Sequence, residues 1–166
     1  MSENYIMLNG KRVDLTEEQI EKLGLKVKTN CFERVKEGEI YYRIYEGVGI
    51  EFVENHNGIL DNERYNAANY CTDKELMQQR ALHETLSRLL WRFSMQNDGD
   101  KINWNSADRK YFFITYDYRH EEFRIDYLFG DSLKSFTQYF YSVDIAKRAI
   151  KEIIIPFMEE HPEFVW

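Results

Sequence analysis

The chain has 166 residues, a length that one domain accommodates, and its 29 acidic and 22 basic side chains give a net charge of −7. This acidity argues against a general duplex-DNA binder, which neutralises phosphates with Lys and Arg, and against a polybasic membrane anchor. No apolar run reaches the ~20 residues of a spanning helix, and residues 1–8 lack a secretory-signal pattern. With two cysteines and 43% hydrophobic residues, the composition predicts an acidic, globular, cytoplasmic protein without a disulfide framework.

The first 30 residues predict a small hairpin-and-helix unit ahead of an α+β domain over residues 31–166. Asn9-Gly10 indicates a two-residue hairpin turn. Thr16 and Gln19 have the spacing of a capping box, so a helix should begin there, and Gly24 offers its C-terminal end. Because this unit alone has too small a core, we expect it to pack on the larger domain within one compact whole.

Alternating residue types predict a second hairpin between Ile40 and Val53. The inner face of this hairpin is expected to carry Ile40, Tyr42, Ile44, Val48, Ile50 and Phe52. The outer face of its first strand is expected to carry Tyr41, Arg43 and Tyr45.

The most aromatic segment predicts a third hairpin, with its turn at residues 119–121. The inner face of its first strand is expected to carry Phe112, Ile114, Tyr116 and Tyr118. The inner face of the return strand is expected to carry Phe123, Ile125, Tyr127 and Phe129.

Two longer amphipathic helices are predicted. The first runs from about Thr72 to about Met95, since Thr72–Glu75 reads as a capping box. Its apolar residues recur at helical spacing and form one face, made of Leu76, Leu82, Leu86, Leu89, Leu90 and Phe93. The last helix begins near Ser142, and Pro156 should kink it or split off its last turn. Its inner stripe is expected to be Ile145, Ala149, Ile153 and Phe157.

Together these elements predict an α+β fold, in which an antiparallel sheet built from hairpins carries the two longer helices on one face. The segments before the two helices also resemble each other. Residues 69–72 and 138–142 each place an aromatic strand before a hydroxyl residue and a helix. Two explanations stay open: a diverged ββα repeat, or the residue preference of any strand-to-helix junction.

Catalytic patterns find little support in the sequence. His83-Glu84 begins like a zinc-protease motif, but Ser87 stands where the second histidine is required. Cys71 lies about three turns from His83 on the same helix, on the order of 16 Å, too far for proton transfer. We therefore name no candidate catalytic, cofactor-binding or metal-binding residue. On balance the sequence favours a protein that is not an enzyme.

Single-stranded nucleic acid or RNA is the alternative ligand that the sequence supports. Aromatic side chains on a sheet face can stack on bases, and Tyr111 and Phe113 are expected on the outer face of the third hairpin, as Tyr41 is on the second. The cationic residues that would accompany them along the long helix are Arg80, Arg88 and Arg92. Against this interpretation stands the net charge of −7.

Three blocks of the sequence resemble a group of uncharacterised proteins encoded by phages, prophages and other mobile elements of gut Gram-positive bacteria. They are residues 31–36, residues 69–95 with the run NYCTDKELM-QRALHETL-RLLWR, and residues 153–166. The resemblance covers most of the chain after about residue 30. It implies a genomic setting and not a reaction, and it leaves roles in counter-defence, replication or virion structure open.

This setting implies a non-catalytic accessory protein that acts by binding a host protein, such as a defence nuclease complex that an anti-CRISPR would inhibit. An acidic surface can compete for a basic nucleic-acid groove because both ligands are steered by the same positive field. The candidate partner-binding residues are the carboxylates on the two larger hairpins, namely Glu51, Glu54, Asp117, Glu121, Glu122 and Asp126.

Overall fold

Antiparallel hairpins and helices make up the part of the chain that the structure, a computed structural model, describes. That part comprises residues 5–8, 11–23, 30–46, 49–103, 105–132 and 137–166. The strands are β1 (Tyr5–Leu8), β2 (Lys11–Asp14), β3 (Ile40–Tyr45), β4 (Gly49–Glu54), β5 (Lys110–Asp117) and β6 (Glu122–Phe129). The helices are α1 (Glu17–Lys22), α2 (Ile59–Asn66), α3 (Lys74–Gln96), α4 (Val143–Ala149) and α5 (Ile155–Glu160). The fold class is α+β, as predicted.

The strands form three separate two-stranded sheets in the described residues, β1–β2, β3–β4 and β5–β6, and not the single sheet that we expected. The predicted cap of α1 is confirmed. The Thr16 amide donates to the Gln19 side chain (2.9 Å) and the Gln19 amide donates to the Thr16 hydroxyl (3.3 Å). The predicted turn at Asn9-Gly10, the helix stop at Gly24 and the residue Val48 lie outside the described residues.

The two larger hairpins are joined to their helices in the same way. Tyr42 of β3 exchanges two backbone hydrogen bonds (2.7 and 3.1 Å) with Cys71. Cys71 lies two residues before Asp73, the cap of α3. About 70 residues further along the chain, Phe112 of β5 exchanges two with Phe140, just before α4 (3.0 and 2.7 Å). The structure therefore contains the ββα arrangement twice, as the resemblance between the two junctions suggested.

A pair of buried tyrosines accompanies each of these junctions. Tyr41 and Tyr70 are fully buried, with their rings stacked at 4.0 Å, and Tyr111 and Tyr139 are buried at the equivalent positions. The prediction that Tyr41 and Tyr111 face outward is wrong. Both rings are buried beneath the hairpins. Their burial is tolerated because each hydroxyl group has a hydrogen-bond partner inside the protein.

The cap of helix α3 lies one residue after the predicted cap, Thr72. The Asp73 carboxylate, and not the Thr72 hydroxyl, accepts a hydrogen bond from the Leu76 amide (2.9 Å). Thr72 is engaged elsewhere, since its amide donates to the Cys31 carbonyl oxygen (2.8 Å). At this end the buried face of α3 passes through Met77 and Ala81, so Leu76 is exposed, contrary to the prediction. No helix in the described ranges is long and apolar enough to cross a membrane.

The main core lies between α3, the last helices and the third hairpin. Its buried residues are Leu82, Leu86, Leu90, Phe93, Phe140, Ala146, Ala149, Ile154, Phe157 and Phe164. Half-buried side chains of the third hairpin pack against it as predicted, namely Phe112, Ile114, Phe123 and Ile125. The core covers only part of the predicted inner face of the third hairpin, and the prediction is wrong for Tyr118, Tyr127 and Phe129, which are exposed. No buried cluster of the described residues includes the inner face of the second hairpin.

Pro156 lies in the first turn of α5, which a wide helical turn separates from α4, so the end of the helix is split off as one of the two predicted outcomes. At the start of α4 the predicted cap is confirmed, because the Ser142 hydroxyl accepts a hydrogen bond from the Ile145 amide (3.3 Å). A single turn with i→i+5 hydrogen bonds, residues 150–154, then connects α4 to α5. This turn holds one extra residue, so Ile154 takes the buried position that we expected for Ile153.

Helix α2 was not predicted from the sequence. Its eight residues carry almost no apolar pattern, and only Asp61 among them is buried. A buried carboxylate at the third position of a short helix is a tertiary feature, and the groups that donate hydrogen bonds to it belong to Tyr41, His56 and Gly58, outside the helix. The segment between the second hairpin and α3 is therefore structured where the sequence indicated only a turn at Asn57-Gly58.

Leu86→Ala should lower the free energy of unfolding by about 2–5 kcal/mol, because the side chain is buried in the main core and its removal leaves a cavity. Leu76→Ala is the matched control on the same helix, since Leu76 is 44% exposed, and should change stability by about 0.5 kcal/mol or less. Urea denaturation of the two variants measures both. Equal losses would contradict the helix face described above.

Candidate functional site

The second hairpin is held in place by a buried polar network around Asp61. The Tyr41 hydroxyl donates to one carboxylate oxygen of Asp61 (2.7 Å), and the amides of His56 and Gly58 donate to the other (3.1 and 3.0 Å). Arg64 donates to the Tyr41 hydroxyl (2.8 Å) and lies 3.6 Å from the carboxylate. The network joins β3, the turn after β4 and α2 through buried hydrogen bonds.

The electrostatics of the network favour the charged form of the carboxyl group. The hydrogen bond from Tyr41 is the largest effect that lowers the pKa of Asp61 below its usual value, with help from the backbone amides and Arg64, although burial opposes it. Burial raises the pKa of the Tyr41 hydroxyl. Asp61 thus acts as a structural anion that positions the hairpin.

The opposite side of this hairpin is apolar and partly open to solvent. Cross-strand pairing places Tyr42 opposite Phe52 and Ile44 opposite Ile50, with Ile40 at the end of the same face. We call this surface, made of Ile40, Tyr42, Ile44, Ile50 and Phe52, the β3–β4 face. Phe52 is 70% exposed and Ile40 is 51% exposed, while the other three are half-buried. The prediction that the whole face is inward is therefore wrong for Ile40 and Phe52.

Two predicted partner-binding carboxylates border the β3–β4 face. Glu54 pairs in register with Ile40 and shares its side of the hairpin, with an exposed carboxylate. Glu51 points to the other side, where it forms an ion pair with Arg43 (2.5 Å). Only Glu54 of these two therefore adds negative charge directly beside the exposed apolar side chains.

The other four predicted carboxylates lie at the tip of the third hairpin, where basic groups accompany them. Asp117 pairs with Arg124 (2.6 Å) and contacts His120 (2.9 Å), and Glu122 also pairs with Arg124 (3.2 Å). The hydrogen bond from His120 is the main cause that lowers the pKa of Asp117. Asp126 accepts from the Thr115 hydroxyl (3.0 Å).

These groups surround an open depression of about 460 Å³ at the tip. Its walls include Asp117 and Asp126, but also Arg119 and Arg124. Glu121 lies in the turn with a left-handed backbone (φ 53°) and is exposed. The tip is thus a mixed-charge surface, and the structure does not bring its carboxylates together with Glu51 and Glu54.

The aromatic residues proposed for base stacking are mostly unavailable. Tyr111 is buried, and its hydroxyl is hydrogen-bonded to the amide and the carbonyl oxygen of Asn103 (2.7 and 3.2 Å). Phe113 is half-buried, edge-on to Tyr139 at 5.9 Å between ring centroids. The prediction that Tyr111 stacks on a base is therefore wrong, because its ring is buried, and Phe113 is only partly accessible.

The cationic residues of α3 differ from one another. Arg80 pairs with Glu84 (2.9 Å) and donates to the Ala68 carbonyl oxygen, so it is tied to the scaffold. Arg88 and Arg92 are exposed, and Trp91 between them is 59% exposed. With Met95 they form a surface that we call the α3 stripe, consisting of Arg88, Trp91, Arg92 and Met95. Trp91 did not figure among the predicted site residues.

A shallow groove of about 270 Å³ separates α3 from the segment before α4 and the C-terminal residues. Its floor is apolar, with Leu86, Ile114 and Trp166, and its rim carries His83 and Gln138. His83 packs against Phe164 (4.7 Å between ring centroids). The groove holds few groups able to react, and the histidine serves packing.

Reactive groups do not converge elsewhere in the described residues. Among them no three His, Cys, Asp or Glu side chains are placed to hold a metal ion. Cys71 is buried at the strand-to-helix corner, as we expected for a small structural residue. Burial is the main cause that raises the pKa of its thiol to about 11, and the neighbouring thiol of Cys31 adds to the rise.

Comparison with known proteins adds no relative to this geometry. No family model, no curated protein and no solved structure matches the chain. The function must therefore be argued from the surfaces that the fold exposes.

Asp61→Asn should lower the free energy of unfolding at neutral pH by about 1–3 kcal/mol, because the amide cannot accept the same set of hydrogen bonds. The carboxyl has a lowered pKa in the folded state, so its contribution is present above the unfolded pKa and is lost as pH falls through the folded value. The stability gap between wild type and Asp61→Asn should therefore narrow in acid. Urea midpoints measured from pH 7 to below pH 4 test this.

Asp108→Asn, at an exposed carboxylate, controls for the loss of one negative charge and should leave the midpoints almost unchanged. A gap between wild type and Asp61→Asn that stays constant into acid would show that Asp61 is not the charged centre of the network.

Proposed function

We propose that this protein is a non-catalytic binding protein, whose second hairpin docks on a partner protein through the β3–β4 face. The observation that carries the proposal is the exposure of Phe52 and Ile40 on a hairpin that the Asp61 network holds rigid. Clustered exposed apolar side chains mark interaction sites in soluble domains. A large aromatic residue on a preorganised strand is also the type of residue that dominates binding energies.

Charge indicates the chemistry of the partner. Residues 33–54, which contain the hairpin, carry six acidic and three basic side chains. Glu54 lies beside the exposed apolar pair, and the whole chain has a net charge of −7. Such a surface fits a partner with an apolar patch surrounded by Lys and Arg side chains, since complementary potentials raise the association rate and select the partner.

A basic patch with an apolar centre is typical of proteins that bind nucleic acid. The sequence resemblance to mobile-element proteins supports the sharpest form of the proposal, in which the partner belongs to a host defence nuclease and the protein inhibits it as an anti-CRISPR would. The acidic hairpin then occupies a groove that otherwise receives nucleic acid.

Phe52→Ala should weaken binding of the partner by about tenfold or more, because truncation removes the most exposed aromatic contact. The matched control is Tyr127→Ala, since Tyr127 pairs with Phe112 as Phe52 pairs with Tyr42. Wild type and both variants, immobilised at equal density, are exposed to a lysate of a gut Gram-positive bacterium, and captured proteins are quantified by mass spectrometry. We then expect the affinity for the purified partner to fall as salt rises.

The supporting result is a protein retained by wild type and Tyr127→Ala but lost from Phe52→Ala, with all three melting temperatures equal. Equal capture by the three proteins would reject the β3–β4 face as the docking surface. If the immobilised protein captures no lysate protein at concentrations at which it binds nucleic acid, protein binding is rejected as the function.

The α3 stripe favours a second candidate function, the binding of single-stranded nucleic acid. Trp91 is exposed between Arg88 and Arg92, and residues 85–96 contain no acidic side chain. An aromatic ring flanked by cations can stack a base while the guanidinium groups contact phosphates. This surface is separate from the two buried or half-buried rings that the sequence suggested.

Titration of a fluorescently labelled single-stranded oligonucleotide at two salt concentrations separates the candidates. Under the leading proposal we expect no saturable binding. Saturable binding that weakens with salt and falls about 5-fold to 100-fold in Trp91→Ala, but not in Phe52→Ala, would assign the function to the α3 stripe.

A further inference from the structure

The two cysteines of the chain lie side by side although 39 residues separate them in the sequence. Cys31 is half-buried in the loop before β3, Cys71 is buried at the junction to α3, and both are free thiols. The Cys31 carbonyl oxygen accepts hydrogen bonds from the amide and the hydroxyl of Thr72 (2.8 and 3.4 Å). The Cys31 thiol also lies near enough to Cys71 to contribute to the raised pKa of the Cys71 thiol.

This arrangement places the two residues within the reach of a disulfide. The Thr72 nitrogen is bonded to the carbonyl carbon of Cys71, so a single hydrogen bond separates the two cysteine backbones. Disulfides require Cα atoms about 4.4–6.8 Å apart and side chains directed at each other. The hydrogen bond between the Cys31 carbonyl oxygen and the Thr72 amide thus brings the two cysteine backbones close enough together for a disulfide to be tested.

We propose that Cys31 and Cys71 form a peroxide-sensitive modification site, which closes as a reversible intramolecular disulfide. The co-reactant is a hydroperoxide, with hydrogen peroxide as the simplest member of the class. This inference is independent of the binding function proposed above, because it rests on the thiol pair alone.

The chemistry divides between an accessible thiol and a protected one. The Cys31 sulfur attacks the peroxide O–O bond, forms a sulfenic acid and releases one water molecule. The Cys71 sulfur then attacks the Cys31 sulfur, the S–OH bond breaks, and the departing hydroxide takes the Cys71 proton as a second water molecule. The two thiols lose two electrons and two protons in total, and one peroxide is reduced to two water molecules.

Burial explains why peroxide does not oxidise Cys71 first. Its high pKa keeps it protonated, and its complete burial keeps peroxide away from it. The half-buried Cys31 is the thiol that peroxide can reach. The disulfide would fasten the loop before β3 to the start of α3, next to the Tyr42 hydrogen bonds that hold the second hairpin.

The experiment treats the full chain at low micromolar concentration with hydrogen peroxide, blocks remaining thiols and digests it with trypsin without reduction. We expect a linked pair of peptides, residues 29–34 and 65–74, two hydrogen atoms lighter than the separate peptides. The melting temperature of the oxidised protein should rise by about 10 °C, because the bond closes a long loop, and dithiothreitol should reverse the rise.

Cys31→Ser keeps the buried Cys71 and should show neither the linked peptides nor the rise in melting temperature. Three results would overturn the proposal: oxidation of Cys31 to a sulfinic acid without linkage, a disulfide-bonded dimer through Cys31, or linkage that forms only in urea. A linked pair without any rise in melting temperature would confirm the modification site and contradict its bracing role.

Discussion

The backbone hydrogen bonds that Tyr42 exchanges with Cys71, and Phe112 with Phe140, fix how each hairpin meets its helix. Each pair bridges the residue two positions before a helix cap to the edge of a hairpin, so the start of the helix is fixed relative to the sheet. The buried tyrosines next to these bonds exclude water from them, which strengthens the bonds and makes either partner costly to lose. These two junctions therefore position the β3–β4 face and the α3 stripe.

The two ββα units share a junction but differ in what covers their hairpins. Around the third hairpin, Phe123 packs against Trp166 (5.1 Å between ring centroids), and Tyr118 donates to a main-chain oxygen of the same tryptophan. Around the second hairpin, the described residues leave Phe52 and Ile40 open to solvent. The third hairpin therefore packs on the core through part of its inner face, whereas the second hairpin presents exposed apolar side chains on the side opposite Asp61.

Local rules predicted the elements better than their faces. The caps at Thr16 and Ser142 depend on a few neighbouring residues and could be read from the sequence. Alternation located the strands of the second hairpin but not its buried side, because the hydroxyl of Tyr41 is satisfied by Asp61, 20 residues away. Helix α2 depends on such distant contacts through Asp61, and a pattern of residue types within one segment does not encode them.

The wide turn at residues 150–154 also sets the geometry of the C-terminal aromatic residues. A regular helix would bring the Pro156 ring against the carbonyl group four residues earlier, and the wider turn relieves that conflict. The inserted residue rotates everything after it, so Phe157 meets Phe164 at 5.4 Å between ring centroids. Shortening the turn by one residue would swing this aromatic end away from the helix bundle and uncover Leu86 and Leu90 together. Pro156 and the wide turn before it therefore have to be kept or changed together in any redesign of the molecule.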